Sequence, residues 1–162
     1  MTETIPARFA RQAAALSEKP LFLVKRGGGY QPITWQQASE QVLAFGLWLL
    51  QRHVNPGARV LILSENRPEW GLADLAIQSV GAWTVPLYPS LAADDLRAIC
   101  ADCQPVACVA STPDQVAKLL ALSEALPCLR VVVALDEGHR PHPLCVQWRA
   151  ALAQGGAAGP EL

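Results

Sequence analysis

Residues 59–63 read Arg-Val-Leu-Ile-Leu and run directly into Ser64-Glu65-Asn66-Arg67-Pro68-Glu69-Trp70. A short apolar run without polar alternation fits a strand buried on both faces. The residues after it have the marks of a helix start. Asn66 offers an N-cap acceptor, Pro68 stands early, and Glu69 places a carboxylate near the positive helix end. The same unit recurs along the chain. Apolar runs lie at Arg59–Leu63, Ala82–Leu87, Val106–Ala110 and Arg130–Leu135, and the steps from Val60 to Thr84, Ala107 and Val131 are 24, 23 and 24 residues. Each gap carries a helical pattern and is long enough for the crossover between parallel strands. The units are not similar to one another, so this is βα alternation and not a solenoid repeat. Thr112-Pro113-Asp114-Gln115 repeats the capped start, with Pro113 at the first helical position. Leu96, Ile99, Cys100 and Cys103 share one face of the helix before it. The expected fold class is α/β, with a mainly parallel sheet flanked by helices.

Upstream, Ile5, Phe9, Ala13 and Leu16 form the apolar stripe of a short first helix. Leu21–Val24 and Tyr30–Ile33 read as a hairpin-like strand pair joined through Lys25–Gly29. Thr34-Trp35-Gln36-Gln37 is a capping box that opens a long helix to about His53, with Ala38, Val42, Phe45 and Leu49 inward and Asn55-Pro56-Gly57 at its end. Downstream, Asp136–Pro143 is a polar turn and Val146–Ala153 a last short helix, after which the glycines read as a linker. The expected domain covers residues 1–153 and is incomplete, with 154–162 a linker towards the rest.

Hydrophobic residues make up 51% of the 162 and charged residues 17%, against about 25% charged in an average soluble domain. That excludes a disordered chain and implies apolar surface for something else to cover. Thirteen basic against fourteen acidic residues leave a net charge of −1, so no bulk field attracts nucleic acid. The longest apolar run, Val42–Leu50, is far short of the ~20 residues of a membrane span. No secretory signal is seen in residues 1–20, and five cysteines, an odd number, fit a reduced cytoplasmic protein.

In an open α/β sheet, ligands bind outside the carboxyl ends of the strands. That rule selects Ser64-Glu65-Asn66, Tyr88-Pro89-Ser90, Ser111-Thr112 and Asp136-Glu137. Capping accounts for Asn66 and Thr112. Tyr88, between Pro86 and Pro89, has no capping role. Neither a G-x-G-x-x-G nor a G-x-x-x-x-G-K-[ST] fingerprint follows a strand, and Gly27-Gly28-Gly29 precedes one, so it reads as a turn. Cys100-x-x-Cys103, Cys108 and His139-x-x-His142-x-x-Cys145 invite a zinc site. Cysteines on a buried helix face are small hydrophobes, however, and no metal site is expected. No Ser/His/Asp set can be assembled, His53 suits a helix C-terminus, and the tryptophans at 35, 48, 70, 83 and 148 are spread among core elements.

Taken together, Ile33-Thr34-Trp35-Gln36-Gln37, Val60 through Trp70, Val80-Gly81-Ala82-Trp83-Thr84-Val85-Pro86-Leu87-Tyr88-Pro89-Ser90 and Asp102 through Ser111 carry a family likeness. In order and spacing they resemble the amino-terminal part of the AMP-forming acyl-CoA synthetases of the adenylate-forming superfamily, above all the long-chain fatty acid–CoA ligases. The resemblance covers roughly residues 5–135. It implies a parent reaction in which fatty acid, ATP and CoA give acyl-CoA, AMP and pyrophosphate, with Mg2+. Members of that family carry a Ser/Thr/Gly-rich phosphate loop, nucleotide-contacting motifs and a lysine on a mobile carboxy-terminal domain. None occurs in this sequence. The catalytic residues are therefore expected beyond Leu162, and none of ATP, Mg2+ or CoA is expected to bind this chain tightly. Tyr88 and Ser90 lie, by position in the family, near the approach of the pantetheine arm, and the resemblance implies that they face substrate or CoA.

The resulting expectation is a cytoplasmic scaffold fragment, silent by itself, with peripheral membrane association and self-association left open. The alternatives are a stand-alone nucleotide- or CoA-binding α/β module, or a non-catalytic interaction protein whose partner covers an open sheet edge.

Overall fold

The computed structural model describes residues 3–157. Its amino-terminal stripe winds into α1 (Ile5–Leu16), capped by Thr4, with Phe9 set 5.7 Å from the Trp35 ring. β1 (Pro20–Arg26) and β2 (Gly29–Thr34) pair antiparallel. Both residues of their connection, Gly27 and Gly28, have positive φ, as a tight two-residue hairpin turn demands. The capping box at Thr34 is closed from both sides. Its hydroxyl accepts from the Gln37 amide at 3.2 Å, and the Gln37 side chain accepts from the Thr34 amide at 3.0 Å. It opens α2 (Trp35–Gln51), which buries Ala38, Val42, Phe45, Trp48 and Leu49.

The βα units then alternate as the spacing predicts. β3 (Arg59–Leu63), α3 (Pro68–Ser79), β4 (Trp83–Leu87), α4 (Ala93–Cys103), β5 (Ala107–Ala110), α5 (Pro113–Ala121) and β6 (Val131–Ala134) succeed one another, and β7 (Cys145–Gln147) and α6 (Trp148–Gly156) complete them. The sheet runs β4-β3-β5-β6-β7, parallel throughout. Because successive side chains point to opposite faces, the strands divide between two cores. Val60, Ile62, Val109, Val131 and Val133 pack towards Phe45, Trp48, Ile77 and Trp148. Leu61, Leu63, Cys108 and Val132 pack towards Leu96, Cys100, Val116 and Leu119. Each large side chain so removed from water contributes about 1.5–3 kcal/mol.

Three features differ from the sequence expectation. The run at Ala82–Leu87 is an edge strand, not one buried on both faces, and Trp83 is 68% exposed. Pro86 is tolerated there because an edge strand has one side without ladder bonds. Val146 belongs to β7, which pairs with β6 before the last helix starts at Trp148. That helix runs through Gln154, Gly155 and Gly156, past the boundary expected at Ala153. Gly155 explains the extension: a Cβ there would collide with the backbone carbonyl of Ala44, so glycine is what lets α6 lie against α2. Gln154 locks the contact by accepting from Trp48 Nε1 at 2.9 Å and Arg52 Nη2 at 3.2 Å. The rest of the expected linker, from 158 on, lies outside the described residues.

Candidate functional site

The chain leaves β3 for β4 on one side, then returns to β5 on the other, so the strand order reverses between β3 and β5. A crevice opens at the carboxyl ends of strands at such a point. The exits of β3, β5 and β6 stay zipped beyond the strands: Ser111 N donates to Leu63 O, Leu135 N to Ala110 O, and Asp136 N to Ser111 O. β4 leaves differently. Leu91 N donates to Tyr88 O at 3.1 Å, closing a turn with Pro89 at its second position, where its fixed φ is favourable.

Between the β3 and β4 exits lies a recess of about 270 Å³, walled by Ser64, Asn66, Trp70, Pro86, Leu87 and Tyr88. Tyr88 stands at its rim, 80% exposed. Ser90 is in the same turn and exposed, but it does not wall the recess. Ser64 is buried and donates its hydroxyl to Glu65 O at 2.9 Å.

Asn66 is not the helix cap that its residue type suggests. Pro68 takes the first helical position, which makes Arg67 the N-cap, without a side-chain cap bond. Asn66 is thereby left to wall the recess. Arg67 instead reaches across the strand ends, donating to Glu69 at 2.9 Å and to Asp136 at 2.8 Å, so the exit of β3 is braced to that of β6. Burial works against the Arg67 charge, but its hydrogen bonds to Glu69 and Asp136 outweigh it and hold its pKa above the usual guanidinium value. Thr112 caps α5 as expected, its hydroxyl accepting from Gln115 N at 3.3 Å.

A wider groove of about 560 Å³ lies between α5 and the loop with Gly138, His139, Arg140 and His142. Among the described residues no three His, Cys, Asp or Glu gather to hold a metal ion. His139 Nδ1 lies 2.9 Å from Gln147 Nε2, and His142 Nδ1 accepts from Leu144 N. All five cysteines are free thiols. Burial, with Cys103 and Cys128 adding, pushes Cys100 up to about 11, and burial raises Cys103, Cys108 and Cys145 too. Such thiols stay protonated at neutral pH and are poor nucleophiles.

Sequence alone reaches Tyr88 from its place at a strand exit. It selects Asn66 at a strand exit but assigns it to capping, and it misses Trp70 and Pro86 as walls of the same recess. For Asn66 the signal is present: a proline at the first helical position makes the residue just before it the cap.

Known proteins share this fold. A family model described as AMP-binding enzyme matches residues 9–159. The long-chain-fatty-acid–CoA ligase FadD15 of Mycobacterium bovis is 35% identical over 117 residues, which is 72% of this chain and 19% of that protein. The long-chain-fatty-acid–CoA ligase heimdall of Drosophila melanogaster is 31% identical over 137 residues, 82% of this chain and 20% of that protein. Among solved structures, the A-PCP didomain of a carboxylic acid reductase from Segniliparus rugosus, in complex with AMP, has a TM-score of 0.83. That likeness of fold covers 97% of this chain and 27% of that one, at 15% identity. The chain spans about one fifth of the length of the curated relatives it matches.

Proposed function

The chain belongs to the AMP-binding enzyme family and corresponds to the amino-terminal part of an acyl-CoA synthetase, and from that premise we propose that it serves ATP-dependent ligation of a fatty acid to CoA. In that reaction a carboxylate oxygen of the fatty acid attacks the α-phosphorus of ATP, and pyrophosphate leaves. The CoA thiolate then attacks the acyl carbonyl, forming the thioester and releasing AMP. Mg2+ neutralises phosphate charge in such chemistry, and among the described residues no group of three His, Cys, Asp or Glu gathers to hold it. Glu69 and Asp136, the carboxylates bonded at the strand ends, are both taken by Arg67.

The segment's own part is to build one wall of the thiol-substrate approach. What supports this reading is the recess between the β3 and β4 exits, next to the reversal of strand order at β3, with Tyr88 on its rim. Its walls suit the slim, amide-bearing pantetheine arm. Trp70, Pro86 and Leu87 supply apolar contact, while the Asn66 amide and Tyr88 phenol offer a few polar groups. The Arg67 brace keeps the strand ends in register beneath it. Ser90, exposed in the same turn, is the second CoA-facing candidate.

Two half-reactions separate this reading from its rivals. In a ligase carrying this segment, Tyr88→Ala raises the KM for CoA several-fold and leaves fatty-acid-dependent ATP–pyrophosphate exchange unchanged. Loss of exchange with an unaltered KM for CoA contradicts the assignment. The 162-residue chain by itself is expected to show no such exchange, and exchange at a rate comparable with an intact ligase overturns the fragment reading.

A further inference from the structure

Two helices of this chain begin with the same local signal, Thr34-x-x-Gln37 and Thr112-x-x-Gln115. In the first, the glutamine side chain closes the capping box by accepting from the cap amide. In the second it does not. Among the described residues Gln115 Oε1 has no hydrogen-bond partner, and Gln115 Nε2 donates instead to Pro89 O at 2.8 Å. A carbonyl only accepts, so the amide nitrogen must face Pro89 and the oxygen is left over. The helix forgoes a local bond that its sequence makes available, and buries an unpaired oxygen, to reach a turn 26 residues away.

We propose that Gln115 is a positioning residue that holds the Tyr88-Pro89-Ser90 turn at the rim of the recess; its relevance to ligand rests on the reading of that turn as CoA-facing. Gln115 is 7% exposed, so its side chain has little freedom and offers the turn a fixed anchor. Among the described residues it makes the only side-chain hydrogen bond to residues 88–91, which are otherwise held by the Leu91 to Tyr88 backbone bond. Tyr88 itself is mostly in water and secures nothing. The anchor ties α5 to the exit of β4 across the place where the strand order reverses.

The test uses amide hydrogen exchange of the full chain, read at Leu91 for the turn and at Val109 for the sheet. Gln115→Leu keeps the apolar contacts and removes the donor, so exchange at Leu91 rises about tenfold relative to wild type at every pH while Val109 is unchanged. Gln115→Glu is the decisive variant. As a carboxylate it cannot donate to Pro89 O, but as a carboxylic acid it can. Its Leu91 amide therefore exchanges faster than wild type at pH 8 and moves back towards the wild-type rate as pH falls through about 4.5 and the carboxyl takes up its proton. A purely packing role gives no such recovery. Leu91 exchange that matches wild type in both variants, or that stays fast in Gln115→Glu at both pH values, overturns the proposal.

A CoA titration of the nitrogen-15-labelled protein separates the two layers. If wild-type Tyr88 and Ser90 do not respond to CoA, the reading of the turn fails while exchange still decides the anchor. If they respond equally in wild type and Gln115→Leu, the positioning role fails and the CoA-facing reading stands.

Discussion

Asn66 and Thr112 are both residues that cap helices well, and each precedes a proline-led helix start. Only Thr112 caps. Denaturant unfolding distinguishes them: Thr112→Ala costs about 1 kcal/mol, whereas Asn66→Ala stays within about 0.5 kcal/mol, as for an ordinary surface substitution. Equal losses contradict the cap assignment. Cys100 gives a pH signature. Its thiol is held up to about 11 in the fold against an ordinary value of 9.0. Below pH 9 both states keep the proton and nothing changes. As pH rises from 9 to 11 the unfolded chain ionises first, so up to about 2–3 kcal/mol of stability is lost. Cys100→Ala makes that decline shallower, as urea unfolding at stepped pH under reducing conditions reads directly. At this scale Tyr88 was legible because the strand-end rule needs only a strand and its exit. The diversion of Gln115 was not, because the same Thr-x-x-Gln signal has two outcomes, decided by what stands across from it.

The strands β3, β5 and β6 were legible as continuous apolar runs because both faces of each are covered. The edge position of β4 was not, since an apolar run does not state which strand lies beside it; Pro86 was the local hint. β7 has three residues, too few to show any periodicity. The extension of α6 was hidden for a different reason. Adjacent glycines read as a linker unless a long-range contact requires one of them, and here Ala44 of α2 does. The two glycines therefore respond in opposite ways. Gly155→Ala forces α6 off α2 and costs about 1–3 kcal/mol, as overpacking does. Gly156 faces open space, so Gly156→Ala is neutral or stabilises by up to about 1 kcal/mol. Thermal unfolding of the pair checks this, and a larger loss at Gly156 contradicts the packing described.

Across the whole molecule, the two cores fix the sheet, the Arg67 brace ties the exits of β3 and β6, and Gln115 ties α5 to the exit of β4. The result is a prepared surface at the carboxyl edge. Elsewhere the fold leaves apolar side chains in water, with Leu43, Trp83 and Leu23 each more than half exposed. A groove of about 300 Å³ between α1 and α2 is lined by Phe9, Leu43, Leu47 and Leu50. Among the described residues no helix is long and apolar enough to cross a membrane. The architecture was legible from the regular βα spacing, but the recess was not, because its walls come from segments that meet only when β3 and β4 pair. These parts underlie the proposal that the carboxyl-edge surface faces the thiol substrate of a fatty acid–CoA ligase. Titrating the nitrogen-15-labelled chain with CoA decides it. Weak, saturable shifts are expected, confined to Asn66, Trp70 and the Tyr88–Ser90 turn, and lost in Tyr88→Ala; shifts centred on the α5 groove, or none at the turn, would contradict it.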